Sequence, residues 1–209
     1  KFEEAGVPVW GEIELAYNYD KGRIIAITGT NGKTTTTALV GQIVKAYNEQ
    51  TYIVGNIGNS YTGEVLKTSE NSYTVAEISS FQLETVHRFH PVVSAILNIT
   101  PDHLNRHHTM ECYAHTKERI AENQTKDDVC VLNMEDEELY RFGSECKASV
   151  VWFSSKRKPD KGAYLDGDDI RYTDGTQDKL MLNIHDMNLL GTHNYENVCA
   201  AIAMTKAVG

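Results

Sequence analysis

The segment with the most chemical content is Gly29-Thr30-Asn31-Gly32-Lys33-Thr34-Thr35-Thr36. It follows the apolar run Ile24-Ile25-Ala26-Ile27 and precedes a stretch with helical spacing. At such a junction backbone N–H groups and a helix N-terminus face an anion, which is how nucleotide phosphates are held. Gly29 and Gly32 permit close backbone approach, Lys33 supplies a point charge, and the Thr34 hydroxyl suits Mg²⁺. The spacing is shorter than the common phosphate loop, which needs a Gly five positions before Gly32, where this chain has Ile27.

Other side chains could join that chemistry. Glu77 lies near the end of a predicted strand, where open α/β sheets place their sites, and a carboxylate there can hold Mg²⁺ beside phosphates. His103 follows a second predicted strand; by itself a lone loop histidine reads as a hydrogen-bonded structural group. Lys117 sits on a charge-rich predicted helix, where a surface lysine is the default reading. Asn56, Ser79 and Gln82 read either as turn residues or as amides and a hydroxyl that orient a ligand by hydrogen bonds.

The elements that must position these groups alternate between short β-branched runs and longer helical stretches, the pattern of βαβ units and a mainly parallel sheet. Strands are predicted over Arg23–Thr28, Thr51–Val54, Ser72–Ile78, Val92–Asn98, Val129–Leu132 and Ser149–Phe153. Helices are predicted over Lys33–Tyr47, Tyr61–Lys67, Met110–Glu122, Glu135–Arg141 and Tyr195–Ala207, with Thr109 and Asn194 as N-caps. Between Gly162 and Gly191 the turn signals Asp166-Gly167-Asp168 and Asp174-Gly175 flank Ala163–Leu165, Ile170–Tyr172 and Lys179–Ile184. That predicts antiparallel hairpins inserted before the last helix. The fold class expected is therefore α/β and P-loop-like, as a single domain over 1–209, with a hairpin region near 162–191.

Composition narrows the classes. An apolar content of 41% and a charged content of 23% are those of a globular chain with a packed core. The net charge of −9, with no basic cluster beyond Lys156-Arg157-Lys158, argues against a nucleic-acid partner. No apolar run is long enough to span a membrane, and no N-terminal segment reads as a signal peptide. Cys112, Cys130, Cys146 and Cys199 are widely spaced without a CxxC pair, which fits reduced thiols rather than a zinc site, and none is expected in catalysis. Lys1 at the start and Gly209 directly after a helical run give the expectation of a piece of a longer protein.

Gly29-Thr30-Asn31-Gly32-Lys33-Thr34-Thr35 resembles the shortened ATP loop of the Mur ligases and the folylpolyglutamate synthetases. Further motifs follow in order: Gly55-Asn56-Ile57-Gly58, Glu77–Glu84, Asn98–His107, Tyr113 with Lys117–Ile120, and Gly191–Asn197. Together they are similar to the Mur ligases, and Ser79-Ser80-Phe81-Gln82-Leu83-Glu84 is most similar to the branch that adds D-glutamate. Val7-Pro8-Val9 and Glu12-Ile13-Glu14-Leu15 agree with that branch.

The resemblance implies the central, ATP-binding domain of a ligase joining D-glutamate to UDP-N-acetylmuramoyl-L-alanine through an acyl phosphate, with ATP and two Mg²⁺ ions. It implies that Gly29, Thr30, Asn31, Gly32, Lys33, Thr34, Thr35, Asn194 and Asn197 bind the nucleotide. Thr34, Glu77, His103 and Lys117, the last if carbamylated, would hold metal. Lys33, Glu77, His103 and Lys117 would form the catalytic set, and Asn56, Ser79, Gln82 and His103 would contact the muramoyl substrate. Asn105 stands where the family often has Asp. The resemblance also implies a monomer in the bacterial cytoplasm, with the uridine-binding and amino-acid-binding domains outside 1–209 and no turnover from this segment alone.

Overall fold

The computed structural model describes residues 5–189 and 191–209; residues 1–4 and 190, inside the predicted domain span, lie outside the described residues. In chain order the elements are α1 (Glu12–Tyr17), β1 (Arg23–Thr28), α2 (Lys33–Tyr47), β2 (Thr51–Gly55), α3 (Tyr61–Glu64) and β3 (Tyr73–Glu77). Next come α4 (Ser80–Leu83), β4 (Val93–Ile96), α5 (Leu104–His107), α6 (Met110–Glu118) and β5 (Val129–Asn133). Then follow α7 (Glu137–Glu145), β6 (Ser149–Ser154), β7 (Gly162–Asp166), β8 (Asp169–Thr173), β9 (Asp178–Asn183) and α8 (Thr192–Val208).

Among the described residues nine strands form one sheet in the order β2-β3-β1-β4-β5-β6-β7-β8-β9. Pairings from β2 through β7 are parallel, and β7-β8-β9 are antiparallel. β1 therefore runs between β3 and β4, so the loops leaving the carboxyl ends of β3, β1 and β4 lie side by side. This is where open α/β sheets bind ligands.

The apolar run of β1 serves two cores at once. Ile24 and Ala26 face a cluster containing Ile13 of α1, Leu83 of α4, Tyr113 of α6 and Leu139 of α7. Ile25 and Ile27 face the opposite cluster, with Val40 and Val44 of α2 and Val198–Met204 of α8. Each buried isoleucine contributes about 2 kcal/mol of hydrophobic stabilisation. Losing either face would tilt the strand that carries the phosphate loop. No helix among the described residues is long and apolar enough to cross a membrane.

Several predicted boundaries move. The helices expected over Tyr61–Lys67 and Met110–Glu122 each end in a 3₁₀ turn, at Val65–Lys67 and Arg119–Ala121. α7 starts after Asp136, whose carboxylate accepts the N–H groups of Glu138 and Leu139 and so caps the helix two residues later than predicted. Asn194 is not the cap of the last helix: α8 begins at Thr192 with Gly191 as N-cap, leaving Asn194 inside the first turn. Thr109 does cap α6, accepting from the Cys112 N–H. The hairpins extend the main sheet, because β7 pairs in parallel with β6 before the chain turns back at Gly167 and again at Gly175.

Candidate functional site

The loop after β1 is fastened to the end of β4. Thr30 N–H donates to the Asn98 carbonyl at 3.0 Å, Asn31 N–H to Asn98 Oδ1 at 2.8 Å, and Asn98 Nδ2 back to the Asn31 carbonyl at 3.1 Å. Thr30 Oγ1 contacts Thr100 and the Tyr113 hydroxyl. Gly32, at φ +81°, is the N-cap of the 15-residue α2 and provides no side chain to its first turn. A Cβ there would lie 2.3 Å from Asn197 Oδ1. The first N–H groups of α2 thus have no capping side chain, and they and the helix dipole are available to an anion.

Two lysines meet on one carbonyl of this loop. Lys33 Nζ donates to Gly29 O at 3.0 Å and Thr30 O at 2.8 Å, and Lys117 Nζ reaches the same Gly29 O at 2.9 Å. Lys117 is 1% exposed and lies over the Tyr113 ring, 4.7 Å from its centroid. Burial, reinforced by the Lys33 charge and opposed by Asp102, pushes its amine down to about 7. Lys33 is also held below the usual lysine range, by burial against the attraction of Glu77 and Asp102. The surface reading of Lys117 is overturned.

Glu77 ends β3, 1% exposed. Its Oε1 accepts Asn56 Nδ2 at 3.1 Å, while its buried Oε2 has no partner among the described residues. An orphaned carboxylate oxygen beside a phosphate loop fits a divalent cation, since burial without a partner is costly. No three His, Cys, Asp or Glu side chains among the described residues cluster as a metal site by themselves. Glu77 and the exposed Thr34 hydroxyl suit Mg²⁺, which takes few protein ligands alongside phosphate oxygens and water.

The remaining predicted residues divide. His103 is exposed at the rim in a left-handed conformation (φ +52°), its Nε2 3.4 Å from Asp102 and its ring 4.9 Å from Phe81. Ser79 and Gln82 satisfy each other in a capping box on α4: Gln82 Oε1 accepts from Ser79 N and Oγ, and Ser79 Oγ accepts Gln82 N–H. Asn56 is engaged with Glu77 rather than free. Asn197 Nδ2 donates to Asn194 Oδ1 at 3.1 Å, and its Oδ1 lies 3.4 Å from Thr36 Oγ1. The two amides thus sit against the start of α2. Thr35 faces the neighbouring groove between α2 and α8.

Structure adds residues to which motif reading gave no role. Asn98 fastens the loop, and Tyr113 links Thr30 to Lys117. Buried His107 joins Ser80 (Nε2 to Oγ, 3.0 Å) to the Phe81 and Tyr113 rings. Burial keeps His107 below the usual histidine range against the pull of Glu84. The motif Asn98–His107 ends on this residue, but the sequence reading gave it no role.

Residues 27–205 match the model of the Mur ligase middle domain. Over its whole length the chain is 82% identical to the UDP-N-acetylmuramoylalanine–D-glutamate ligase of Lachnospira eligens, covering 46% of that protein. It is 51% identical to the enzyme of the same name from Lachnoclostridium phytofermentans, again over 46% of its length. The chain thus spans about half the length of the curated relatives it matches. A solved UDP-N-acetylmuramoyl-L-alanyl-D-glutamate–2,6-diaminopimelate ligase superposes with a TM-score of 0.71 at 21% identity, over all of this chain and 45% of that one, which shows a shared fold.

Proposed function

This chain belongs to the Mur ligase family as its middle domain, and on that premise we propose that it is the ATP site of a ligase joining D-glutamate to UDP-N-acetylmuramoyl-L-alanine. The observation that carries this reading is the convergence on one loop of Lys33, neutralisable Lys117 and Glu77 with its orphaned oxygen. The wider ligase, beyond this chain, would bind the uridine nucleotide and the amino acid. It would act as a cytoplasmic monomer.

A carboxylate is a poor electrophile, so amide formation needs activation. Transfer of the γ-phosphoryl group of ATP to the acceptor carboxylate gives an acyl phosphate and ADP. The D-glutamate amine then attacks the acyl carbon, and phosphate departs. Such transfers depend mainly on positioning and charge neutralisation. Lys33 exchanges the Gly29 and Thr30 carbonyls for phosphate oxygens, and the first N–H groups of α2 hold the same group. Bound Mg²⁺ supplies charge neutralisation; Glu77 and Thr34 would hold one ion, and His103 and carbamylated Lys117 a second. Asn56 fixes the Glu77 carboxylate. The Gln82 amide nitrogen, left over from the capping box, and the rim histidine His103 would face the muramoyl substrate. Asn194 and Asn197 border the nucleotide side. With its amine brought down to about 7, Lys117 is accessible in its neutral form near neutral pH, so its nitrogen can attack CO₂, forming a C–N bond and releasing a proton.

Calorimetric titration with ATP and GTP, with and without Mg²⁺, tests the assignment. ATP should bind more tightly with Mg²⁺, and Lys33→Ala should weaken binding roughly tenfold or more. Glu77→Gln should keep the fold and lose the Mg²⁺-dependent gain. Preference for GTP would overturn the reading. ADP release by the full-length ligase that depends on D-glutamate tests the substrate.

A further inference from the structure

Phe81 is a large aromatic left 41% exposed beside the site. It stands between two residues assigned above to the acceptor: Gln82 follows it in α4, and the His103 ring lies 4.9 Å away. A single exposed apolar side chain is ordinary, but this one is clamped. Buried His107 stacks on it, with ring centroids 5.6 Å apart and planes within 9° of parallel. The Arg106 guanidinium lies 5.4 Å from its centroid. Glu84 fixes that guanidinium in turn, accepting Arg106 Nε at 3.1 Å and Nη2 at 2.6 Å. The Ser79–Gln82 capping box holds the turn that carries the ring. An aromatic fixed in this way loses little freedom when a ligand packs on it.

We propose that Phe81 is a specificity-determining residue, its exposed ring surface forming the apolar wall for the methyl side chain of the acceptor's alanyl residue. The assignment rests on the ligase reading above, in which Gln82 and His103 face the acceptor and His103 lies at the carboxylate that is activated. The acceptor runs from sugar to lactyl group to alanyl residue to carboxylate, so the alanyl side chain is the substituent nearest the reacting end. Its methyl carbon is two bonds from the carboxylate carbon, about 2.5 Å. A carboxylate at His103 therefore brings that methyl within reach of carbon contact, about 3.5–4 Å, with a ring centred 4.9 Å from the imidazole. The wall is apolar because the Arg106 charge is taken up by Glu84. A methyl group gains by burial against it, glycine leaves the ring wet, and a longer side chain meets a ring that cannot move aside.

The test uses the full-length ligase containing this chain and acceptors ending in L-alanine, glycine or L-2-aminobutyrate, with kcat/KM read from D-glutamate-dependent ADP release. Wild type should prefer alanine to glycine roughly tenfold or more. Phe81→Ala should shrink that preference to within about threefold and raise L-2-aminobutyrate relative to alanine, because the missing ring leaves room. Phe81→Leu, which keeps an apolar wall, should retain most of the preference for alanine. General loosening of the site would lower all three acceptors together and leave their ratios unmoved. An alanine-to-glycine ratio in Phe81→Ala equal to that of wild type would overturn the proposal. So would a wild type that uses the two acceptors equally well, a result that needs no variant to fold. No ADP release by wild type with any of the three would remove the ligase reading and this assignment with it.

Discussion

Replacing Lys117 by Met should change how stability depends on pH, in a direction set by the buried amine. In the folded chain Lys117 loses its proton near 7, whereas in the unfolded chain it keeps it up to the ordinary value of 10.5. Between those limits the unfolded state binds the extra proton, so this residue makes stability rise with pH. Its penalty is full below about pH 7 and relieved as pH climbs toward 10.5. At about 1.36 kcal/mol per unit, the gain between about pH 6.5 and about pH 9 is on the order of 2.5 kcal/mol. Met keeps the apolar stem and cannot titrate, and Lys33 remains on the Gly29 carbonyl. Urea unfolding of wild type and Lys117→Met in CO₂-depleted buffer isolates the effect, because other titrations are common to both. The wild-type minus variant difference should rise by roughly 2–3 kcal/mol over that range. A difference flat to within about 0.5 kcal/mol would refute the buried, depressed amine.

Gly32→Ala places a Cβ at φ +81° and 2.3 Å from Asn197 Oδ1, so the loop must move. Left-handed strain alone costs about 1–2 kcal/mol, and ATP affinity by calorimetry should fall at least roughly tenfold, with a lower melting temperature. Glu14, fully buried in α1, accepts the N–H groups of His87, Arg88 and Phe89 at 2.8–3.2 Å. Glu14→Ala removes the acceptor of three N–H groups, of which that of Phe89 is buried, and should destabilise by about 2 kcal/mol or more in urea, with ATP affinity of the folded fraction unchanged.

The strands that carry the site were legible because each is a β-branched run buried on both faces, and the phosphate loop because glycine and lysine sit at a strand-to-helix junction. α1, α4 and α5 were not, since helices of four to six residues complete too little of a 3.6-residue period to show one. α4 is instead written in its capping box, Ser79 with Gln82, a signal also open to a ligand-binding reading. The parallel β6–β7 pairing was hidden for another reason. Asp-Gly turns reveal hairpins, while nothing local reveals which older strand a hairpin will join. Lys117 shows the largest gap. Its own helix is rich in charge, and its burial comes from Tyr113 and from Gly29, 88 positions away in sequence.

The same geometry gives the proposed carbamylation an order. CO₂ attacks only a neutral amine, and burial and the Lys33 charge act in the same direction to bring the Lys117 amine down to about 7. A triphosphate on the loop reverses the second influence: it draws Lys33 into an ion pair and adds negative charge beside Lys117, favouring its protonated form. Each unit of upward shift cuts the neutral fraction about tenfold once the pKa exceeds the ambient pH. The modification therefore belongs to the nucleotide-free site, and nucleotide arriving first should block it. With ¹³C-labelled bicarbonate near pH 7, a carbamate signal lost in Lys117→Met should form in the free protein. It should fall several-fold when a non-hydrolysable ATP analogue is added first without Mg²⁺. Equal yields in both orders would mean that the loop-bound phosphates do not reach Lys117 electrostatically, and the shared Gly29 carbonyl would then be a structural meeting point without a chemical consequence.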